Sequence, residues 1–243
     1  SGIKVMNPDV NESFADFAIV KDAQTIRFGL GAIKNVGHGA AERIIEERDV
    51  NGPFKDLEDF FARVPSTAVN KKVVESLIRT GGFDSFGYTR QCLLNQLDTL
   101  IAFSQKRDKE ALSNQSNLFG DSTNTQTKLN LIKSEEEAPD HDKLSWEREL
   151  LGLYLSAHPL DKYEEYLKHH AEDISELKPE DVDGASGVVG GTITASREIT
   201  TKKGDKMAFM TVADLAGEIE LIIFPQAYLK FATILNKPNA VII

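Results

Sequence analysis

The fold is decided by the stretch Ile33–Ala41, which reads Ile-Lys-Asn-Val-Gly-His-Gly-Ala-Ala. A short helix is expected before it, over about residues 30–35, and a second helix begins near Ala40. Glycine lets the backbone turn sharply and approach a partner closely, because no Cβ obstructs either move. The first N–H groups of the second helix lack intrahelical acceptors and lie at the positive end of its dipole. The stretch therefore predicts either a phosphate-binding hairpin between two helices or an ordinary turn.

The same pattern occurs a second time, and this favours the phosphate-binding interpretation. Asn70 can cap a helix that ends at Gly81-Gly82, and the loop 82–87 leads into a helix predicted over 89–105. A connecting helix over 56–64, with Asp56 as N-cap, joins the two units. Paired helix-hairpin-helix units hold phosphates across a duplex groove and so read backbone shape, not base sequence. We expect duplex contacts at both hairpins and at three nearby cations, namely at Lys34, Val36, Gly37, His38, Gly39, Arg43, Gly82, Phe83, Gly87 and Arg90.

Charge is distributed unevenly along the chain. The formal net charge is -10, but residues 108–183 hold 8 Lys and Arg against 19 Asp and Glu, and the flanking regions are close to neutral. Either flank can therefore present a local basic face. No apolar run reaches membrane-spanning length, and the N-terminus lacks a signal pattern. Cys92 is the only cysteine, which excludes a disulfide framework and a cysteine-built zinc site. These features predict a cytoplasmic protein with no membrane partner.

The stretch 106–143 is predicted to be a linker, because Asn, Ser, Thr, Gln and Glu dominate its composition. Its exception is Gln115, followed after two residues by Leu118 and Phe119. Two apolar residues and an amide in a polar stretch are typical of a short peptide ligand, although the pair could instead fold back onto the helical core. The acidic run at 135–137 is interpreted as solvated charge and not as a metal site.

After a helical connector, the periodicity of the chain changes to two from Gly187. Three strands are predicted over residues 188–199, 207–214 and 217–224, with a bend or bulge near Gly190-Gly191, and a helix from Pro225 and another strand follow. This order is that of an OB barrel, which binds single strands on its second and third strands and their loops. A barrel needs a closing strand, so a truncated OB fold is expected. The candidate single-strand contacts are Lys202, Lys203, Lys206 and Phe209.

Laid end to end, these features resemble the C-family of bacterial replicative DNA polymerases, in the C-terminal part of their alpha subunit. The matching motifs fall in the order of the family and cover nearly all of the chain outside the linker. They are Pro8–Ser13, Phe28–Lys34, Val36–Gly39, Gly81–Asp84, Leu150–Leu160 and Thr201–Met207.

The resemblance implies an α+β multidomain chain whose mainly helical part precedes the truncated OB barrel. The implied domains are the edge of the fingers region (1–28), a tandem helix-hairpin-helix duplex-binding domain (29–105), a linker with a clamp-binding peptide (106–143), a helical connector (144–183) and a partial OB domain (184–243). In that family a glutamine followed after two residues by Leu or Met and then Phe docks on the beta sliding clamp. Gln115, Leu118 and Phe119 match this motif. The implied partners are primer-template duplex, single-stranded template, the clamp and other replicase subunits.

The resemblance also implies where the chemistry of the family lies. Its palm aspartates hold two magnesium ions, and no palm segment is present in these 243 residues. We therefore expect a non-catalytic segment of a DNA-directed DNA polymerase, with no cofactor of its own. Two alternatives stay open. An accessory region of a ligase or nuclease needs a nucleophilic lysine pocket or a carboxylate cluster, and neither pattern is found. A protein-binding scaffold is favoured by the acidic middle of the chain.

Overall fold

The computed structural model describes residues 4–20, 24–116, 128–156, 158–177, 186–214, 217–235 and 240–242, and of these only the backbone at 112–116 and 240–242. The chain forms two compact units, Ser1–Ser156 and Ala157–Ile243, so their boundary falls inside the predicted connector. The first unit is mainly helical and the second contains an antiparallel sheet, which confirms the predicted α+β class. Among the described helices, none combines the length and the apolarity that a membrane span requires.

The first unit begins with a small sheet. Strands β1 (Lys4–Met6), β2 (Ala18–Ile19) and β3 (Thr25–Arg27) pair in the order β1-β3-β2, with β1 parallel and β2 antiparallel to β3. The loop between β1 and β2 is tied to the end of β3, because the Ser13 hydroxyl donates to the Phe28 carbonyl at 2.8 Å. The sheet therefore leads directly into the Ile33–Ala41 stretch.

The helices of the first unit enclose one apolar core. Phe60, Phe61 and Phe83 are almost fully buried, and the Phe60 ring centroid lies 5.1 Å from that of Phe61 and 5.0 Å from that of Phe83. The helices are α1 (Gly37–Asn51), α2 (Leu57–Arg63), α3 (Lys71–Thr80), α4 (Arg90–Asn95), α5 (Leu97–Ser116) and α6 (Asp140–Leu151).

Local sequence signals set the bounds of α2 and α3 as expected. The Asp56 side chain accepts a hydrogen bond from the Asp59 N–H at 2.8 Å, which confirms the connecting helix and its N-cap. Asn70 caps α3 by accepting from the N–H groups of Lys72 and Val73. Gly81 ends α3 in the left-handed region at φ 86°. These helices are specified by residues within one turn of their ends.

The helix expected over residues 30–35 is reduced to a 3-10 turn at Leu30–Ala32. The Leu30 and Gly31 N–H groups donate to the carbonyls of Phe14 and Ala15, so this segment follows a neighbouring strand-like loop and not a helical path. A Cβ at Gly29 would lie 2.5 Å from the backbone of Asp16. The predicted helix does not form, because the backbone at residues 29–31 is hydrogen-bonded to the backbone at residues 14–16.

The helix predicted over 89–105 is broken into α4 and α5 at Gln96, and α5 continues to Ser116. Residues 128–138, which fall in the predicted linker, lie along the helical core: Leu129 and Leu131 are partly buried and Ala138 is buried. We call residues 128–138 the acidic strap, after its glutamates at 135–137. The predicted linker is thus in large part helix and docked chain.

The second unit contains four antiparallel strands and two α-helices in its described part. Strands β4 (Gly190–Thr200), β5 (Lys206–Ala213), β6 (Glu218–Ile223) and β7 (Ala240–Ile242) lie in the order β6-β5-β4-β7. Helix α7 (Glu164–His170) precedes the sheet, and α8 (Pro225–Leu235) lies between β6 and β7 in sequence. The register of β4 and β5 shifts between Ile193 and Ala195, so the irregularity of β4 lies a few residues beyond the predicted position at Gly190-Gly191. Gly190 and Gly191 pair regularly with β7. The described strands form an open sheet, in agreement with a truncated OB fold.

Candidate nucleic-acid interface

The first hairpin, residues 33–39, has an exposed tip, and the residues beneath the tip are buried or hydrogen-bonded to other helices. Ile33 and Val36 are buried, whereas Gly37, His38 and Gly39 are exposed. From behind, the Lys34 N–H donates to the Leu150 carbonyl at 2.9 Å, and the Asn35 amide donates to the Ser76 hydroxyl at 3.1 Å. Contacts from two other helices therefore hold the turn in place.

The tip offers backbone donors that the described chain does not use. Helix α1 begins at Gly37, so the N–H groups of Gly37, His38 and Gly39 have no acceptor in the preceding turn. Val36 occupies the N-cap position and supplies no side-chain acceptor. Three N–H groups at the positive end of a 15-residue helix are a suitable site for an anion.

The fold requires a glycine at only one of the two glycine positions of the tip. Gly37 adopts φ +69°, a left-handed conformation that residues with a Cβ rarely take. Gly39 has no such constraint, and a Cβ there would meet no heavy atom of the described chain within 4 Å. Neither conformation nor internal packing explains the glycine at position 39. The open space in front of it allows a partner to approach the backbone.

Lys34 and Arg43 lie near this hairpin, and both side chains are more than half exposed. The Lys34 ammonium is 3.6 Å from a Glu149 carboxylate oxygen, and the Arg43 guanidinium is 2.8 Å from Glu46. Exposed ion pairs of this kind contribute about 0–1 kcal/mol, so a phosphate can displace them at little cost. His38 is also exposed, with its Nε2 3.8 Å from Asp16.

The second hairpin, residues 82–87, uses most of its polar groups internally. Gly82 is buried; its N–H donates to the Leu77 carbonyl at 2.7 Å, and its carbonyl accepts from the Val10 N–H at 3.0 Å. Phe83 is part of the aromatic core. Gly87 is exposed at φ +73°, but its N–H donates to the Asp84 carbonyl. The structure therefore does not present Gly82 and Phe83 to a duplex, and it leaves Gly87 at the surface.

Arg90, expected to contact DNA, is buried at 7% exposure. Its guanidinium donates to the Asp84 carboxylate at 2.8 Å and to the Arg79 carbonyl at 3.1 Å. These bonds close the loop between α3 and α4 from inside. Arg90 is a residue that shapes the second hairpin, and its charge is compensated by Asp84.

In the second unit, the outer face of the sheet carries a row of three side chains. Arg197, Phe209 and Ile222 are paired across β4, β5 and β6. The Arg197 guanidinium carbon lies 5.1 Å from the centroid of the Phe209 ring, and Ile222 is 49% exposed. Phe209 itself is half-buried, and a guanidinium beside a partly exposed aromatic ring is suited to stacking with a base. Arg197 is not among the residues predicted from the sequence, although pairing of the predicted strands places it opposite Phe209.

Lys206 does not share this face. Positions 206 and 209 are an odd number of residues apart on one strand, so their side chains point to opposite faces. The Lys206 ammonium lies 2.6 Å from the Glu198 carboxylate, which also accepts the Tyr228 hydroxyl. The Lys206 ammonium and then the Tyr228 hydroxyl lower the pKa of Glu198 from its ordinary value, and hydrogen bonding to Glu198 raises the pKa of Lys206. Glu198 thus joins the sheet to α8, and Lys206 holds the Glu198 carboxylate in place.

The remaining single-strand candidates, Lys202 and Lys203, are exposed in the loop between β4 and β5. That loop is closed by a 2.8 Å hydrogen bond from the Thr201 N–H to the Asp205 carbonyl, with Gly204 at φ +89°. Within the described part of the chain, no group of three His, Cys, Asp or Glu side chains is arranged to hold a metal ion.

The expected clamp-binding residues fall at the limit of the described structure. Gln115 lies in the last turn of α5, where only the backbone is described. Leu118 and Phe119 lie outside the described residues. Their role stays a prediction from the sequence.

Comparison with known proteins identifies both the motif and its context. Residues 2–93 match the family model described as a helix-hairpin-helix motif. Over 100% of its length the chain is similar to DNA polymerase III subunit alpha, at 36% identity in Vibrio cholerae serotype O1, 34% in Aquifex aeolicus and 32% in Escherichia coli O6:H1. It covers 21%, 19% and 21% of those relatives respectively. The expected resemblance to the alpha subunit is thereby confirmed, over about one fifth of the length of that subunit.

Proposed function

We propose that this chain is a non-catalytic segment of a replicative DNA polymerase and that it holds the primer-template duplex. The observation that carries the proposal is the tip of the first hairpin, where three N–H groups without internal acceptors face open space at Gly39. The helix-hairpin-helix match over residues 2–93 and the names of the relatives support it. The magnesium-dependent chemistry of such a polymerase would belong to parts of the subunit outside this segment.

In this proposal a backbone phosphate accepts hydrogen bonds from the N–H groups of Gly37, His38 and Gly39. Lys34 and Arg43 exchange their carboxylate partners for neighbouring phosphates, and Gly87 marks the exposed edge of the second hairpin. Every donor contacts the phosphate backbone and none contacts a base, so binding is tolerant of base sequence and sensitive to salt. A contact of this kind lets a polymerase hold the duplex at any position along the DNA.

The sheet of the second unit is proposed to contact the single-stranded template. Phe209 offers a stacking face, Arg197 adds a cation beside it, and Ile222 extends the surface across β6. Lys202 and Lys203 lie in the adjoining loop and would meet the strand phosphates. These residues differ from the predicted single-strand contacts by the addition of Arg197 and Ile222 and the removal of Lys206. Lys206 is excluded because it forms an ion pair with Glu198 on the other face of the sheet.

The peptide formed by Gln115, Leu118 and Phe119 is proposed to dock on the beta sliding clamp, and other replicase subunits are further proposed partners. The support is the match of these residues to the clamp motif of the polymerase family the chain resembles. A cytoplasmic location follows from the same proposal.

Substitution of Gly39 by alanine tests the duplex-binding proposal. In a helix the Cα–Cβ bond points towards the N-terminus, so the added methyl group projects into the space assigned to the phosphate. Loss of one charge-assisted hydrogen bond weakens duplex binding about tenfold. Because alanine is the better helix former, the free energy of unfolding should stay constant or rise by about 0.5 kcal/mol. Titration of a labelled duplex at two salt concentrations, together with urea unfolding, gives both quantities.

The matched control is Val50→Ala, at the far end of the same helix, where the side chain is 80% exposed. It should leave duplex affinity unchanged. Equal affinity of the Gly39→Ala variant and the parent chain would contradict the assignment of the hairpin. A protein-binding scaffold, the alternative function, would show no duplex binding at either salt concentration.

A further inference from the structure

The acidic strap, residues 128–138, crosses the helices that follow the second hairpin. The side-chain amide of Gln96 pairs with the backbone of Ile132 in both directions: it accepts from the Ile132 N–H at 2.8 Å and donates to the Ile132 carbonyl at 2.9 Å. The Thr89 hydroxyl donates to the Glu136 carbonyl at 2.6 Å. The Leu129 N–H donates to the Glu58 carboxylate at 3.0 Å. Partly buried side chains at the surface of the helical unit thus serve as the hydrogen-bond partners of an extended segment.

The bonds that hold the strap are mostly exposed to water. Ile132 is 79% exposed, Leu129 and Leu131 are only partly buried, and Ala138 is the one fully buried apolar residue within the strap. A segment that buries little apolar surface and is fixed by exposed hydrogen bonds opens at a much lower free energy than the core beneath it. The strap can therefore detach without unfolding the unit.

The strap places negative charge beside the second hairpin. Tyr88 and Thr89 directly follow Gly87, and they are contacted by Lys133, whose ammonium lies 5.0 Å from the Tyr88 ring centroid, and by the Glu136 carbonyl. The side chains at 135, 136 and 137 are exposed carboxylates, and they outnumber the two lysines of the strap, Lys128 and Lys133. The Glu137 carboxylate is paired with the Lys143 ammonium at 2.7 Å, so Glu135 and Glu136 carry most of the uncompensated charge. A duplex that reached the exposed edge of the second hairpin at Gly87 would meet this charge, and repulsion between phosphates and carboxylates opposes such a contact.

We propose that the acidic strap is a built-in competitor of DNA: docked, it keeps duplex away from the second hairpin, and duplex engagement displaces it. The proposal rests on the proposed duplex-binding function and adds its regulation. In the docked state only the first hairpin holds the duplex. Displacement of the strap removes its contacts with Tyr88 and Thr89 and so uncovers the surface next to Gly87.

Removal of the strap charge tests the competition. The triple variant Glu135→Gln, Glu136→Gln and Glu137→Gln should bind a short labelled duplex of mixed sequence about three- to tenfold more tightly than the parent chain at low salt, and the difference should shrink as salt screens the charges. Fluorescence anisotropy at two salt concentrations measures both effects.

The matched control makes the same change in net charge in the second unit, with Glu164→Gln, Glu165→Gln and Glu176→Gln, all of them exposed positions. If the control tightens binding as much as the strap variant, the effect is one of overall charge and the proposal is overturned. If the parent chain binds duplex and the strap variant binds it equally well, the strap proposal alone fails. If no variant binds duplex at low salt, the proposed function fails as well.

Cys92 provides a second, independent readout. It lies under the strap at 1% exposure, and its thiol donates to the Ile132 carbonyl at 3.2 Å. A maleimide can therefore react with it only when the strap opens. The rate of modification of the Cys92 peptide, followed by mass spectrometry, measures strap opening. Gln96→Ala removes the paired hydrogen bonds to Ile132 and also the contact of the Gln96 amide with the Cys92 thiol, and it should raise this rate about tenfold.

Added duplex should also raise the rate of Cys92 modification in the parent chain, because binding favours the detached strap. A rate that stays constant or falls on saturation with duplex would overturn the proposal even if Gln96→Ala behaves as expected. A rate that rises with duplex in the parent chain, and rises less in the triple glutamine variant, would establish that DNA and the strap carboxylates compete.

Discussion

At the scale of single residues, the structure separates cations that resemble one another in the sequence. Arg43 and Arg90 each follow a glycine-bounded hairpin by a few positions, and both were expected to meet phosphates. Arg43 is 58% exposed beside an equally exposed Glu46, whereas the Arg90 side chain is 8% exposed against Asp84. An arginine whose donors are used inside the fold stabilises the hairpin, and one at the surface remains available to DNA.

We predict that Arg90→Met lowers stability and leaves the duplex affinity of the folded protein unchanged. The substitution removes the hydrogen bonds to Asp84 and to the Arg79 carbonyl, at an expected cost of about 1–3 kcal/mol. Urea unfolding measures the loss. Arg43→Met is the matched control and should show the reverse pattern, with unchanged stability and weaker duplex binding. A large loss of affinity in folded Arg90→Met protein would show that Arg90 contacts DNA.

At the scale of elements, alternation along β5 decides which residues act together. Ala208, Met210 and Val212 are fully buried on one face, so Phe209 must lie on the other. Lys206 shares the parity of the buried residues and is paired with Glu198 and, through it, with Tyr228 of α8. The loop between β4 and β5 adjoins the row of Arg197, Phe209 and Ile222 in the sequence, but Lys206 at the end of that loop faces the other side of the sheet.

We predict that Phe209→Ala weakens single-strand binding by about 1–3 kcal/mol, the usual contribution of one stacked base, and that Arg197→Met weakens it to a smaller extent. Lys206→Met should leave the affinity nearly unchanged. Titration of a labelled single strand separates the three variants. Equal losses for Phe209→Ala and Lys206→Met would contradict the assignment of the two faces.

Lys206→Met should instead reduce stability in a pH-dependent way. Because the folded-state pKa of Glu198 is lowered, its ion pair stabilises the fold above the ordinary pKa of a carboxyl group and is lost as the pH falls through the folded-state pKa. The stability difference between the variant and the parent should therefore be present at neutral pH and disappear in acid. Thermal unfolding across this range provides the measurement.

At the scale of the whole molecule, the contacts proposed for different partners are distributed among separate parts of the chain. The first hairpin lies in the unit Ser1–Ser156, and the row of Arg197, Phe209 and Ile222 lies in the unit Ala157–Ile243. The proposed clamp peptide begins at Gln115, in the last turn of α5. The acidic residues concentrate between 108 and 183, outside the first hairpin. This distribution means that each contact can be removed without directly changing the residues of the others.

We predict that Leu118→Ala together with Phe119→Ala abolishes binding to the beta sliding clamp and leaves duplex affinity unchanged. The two apolar side chains are the expected anchors of the peptide, and the donors for duplex lie in the first hairpin. Surface plasmon resonance with immobilised clamp measures the first effect, and duplex titration the second. Asn117→Ala, at a position that the motif leaves open, is the control. Clamp affinity equal to that of the parent would contradict the motif.

The sequence by itself determined the features that depend on residues close together in the chain. The caps at Asp56 and Asn70, the glycine hairpin at Gly37 and the two-residue period of the sheet each follow from contacts or backbone preferences within a few positions. The position of the tip proposed to bind duplex could therefore be predicted, because its donors are backbone groups at the start of a helix.

Only the tertiary structure decided which groups remain available to a partner. Burial of Arg90, the use of the Gly82 N–H inside the core and the attachment of Ile132 to Gln96 depend on packing that local patterns do not encode. Gln96 and Ile132 are 36 positions apart in the sequence. The strap can dock only after the helices have folded, because its extended backbone needs donors and acceptors at matching distances. The polar composition of the strap is typical of a linker, because the strap alone cannot bury enough apolar surface to fold. It docks because the folded helices supply hydrogen-bond partners such as Gln96 and Thr89.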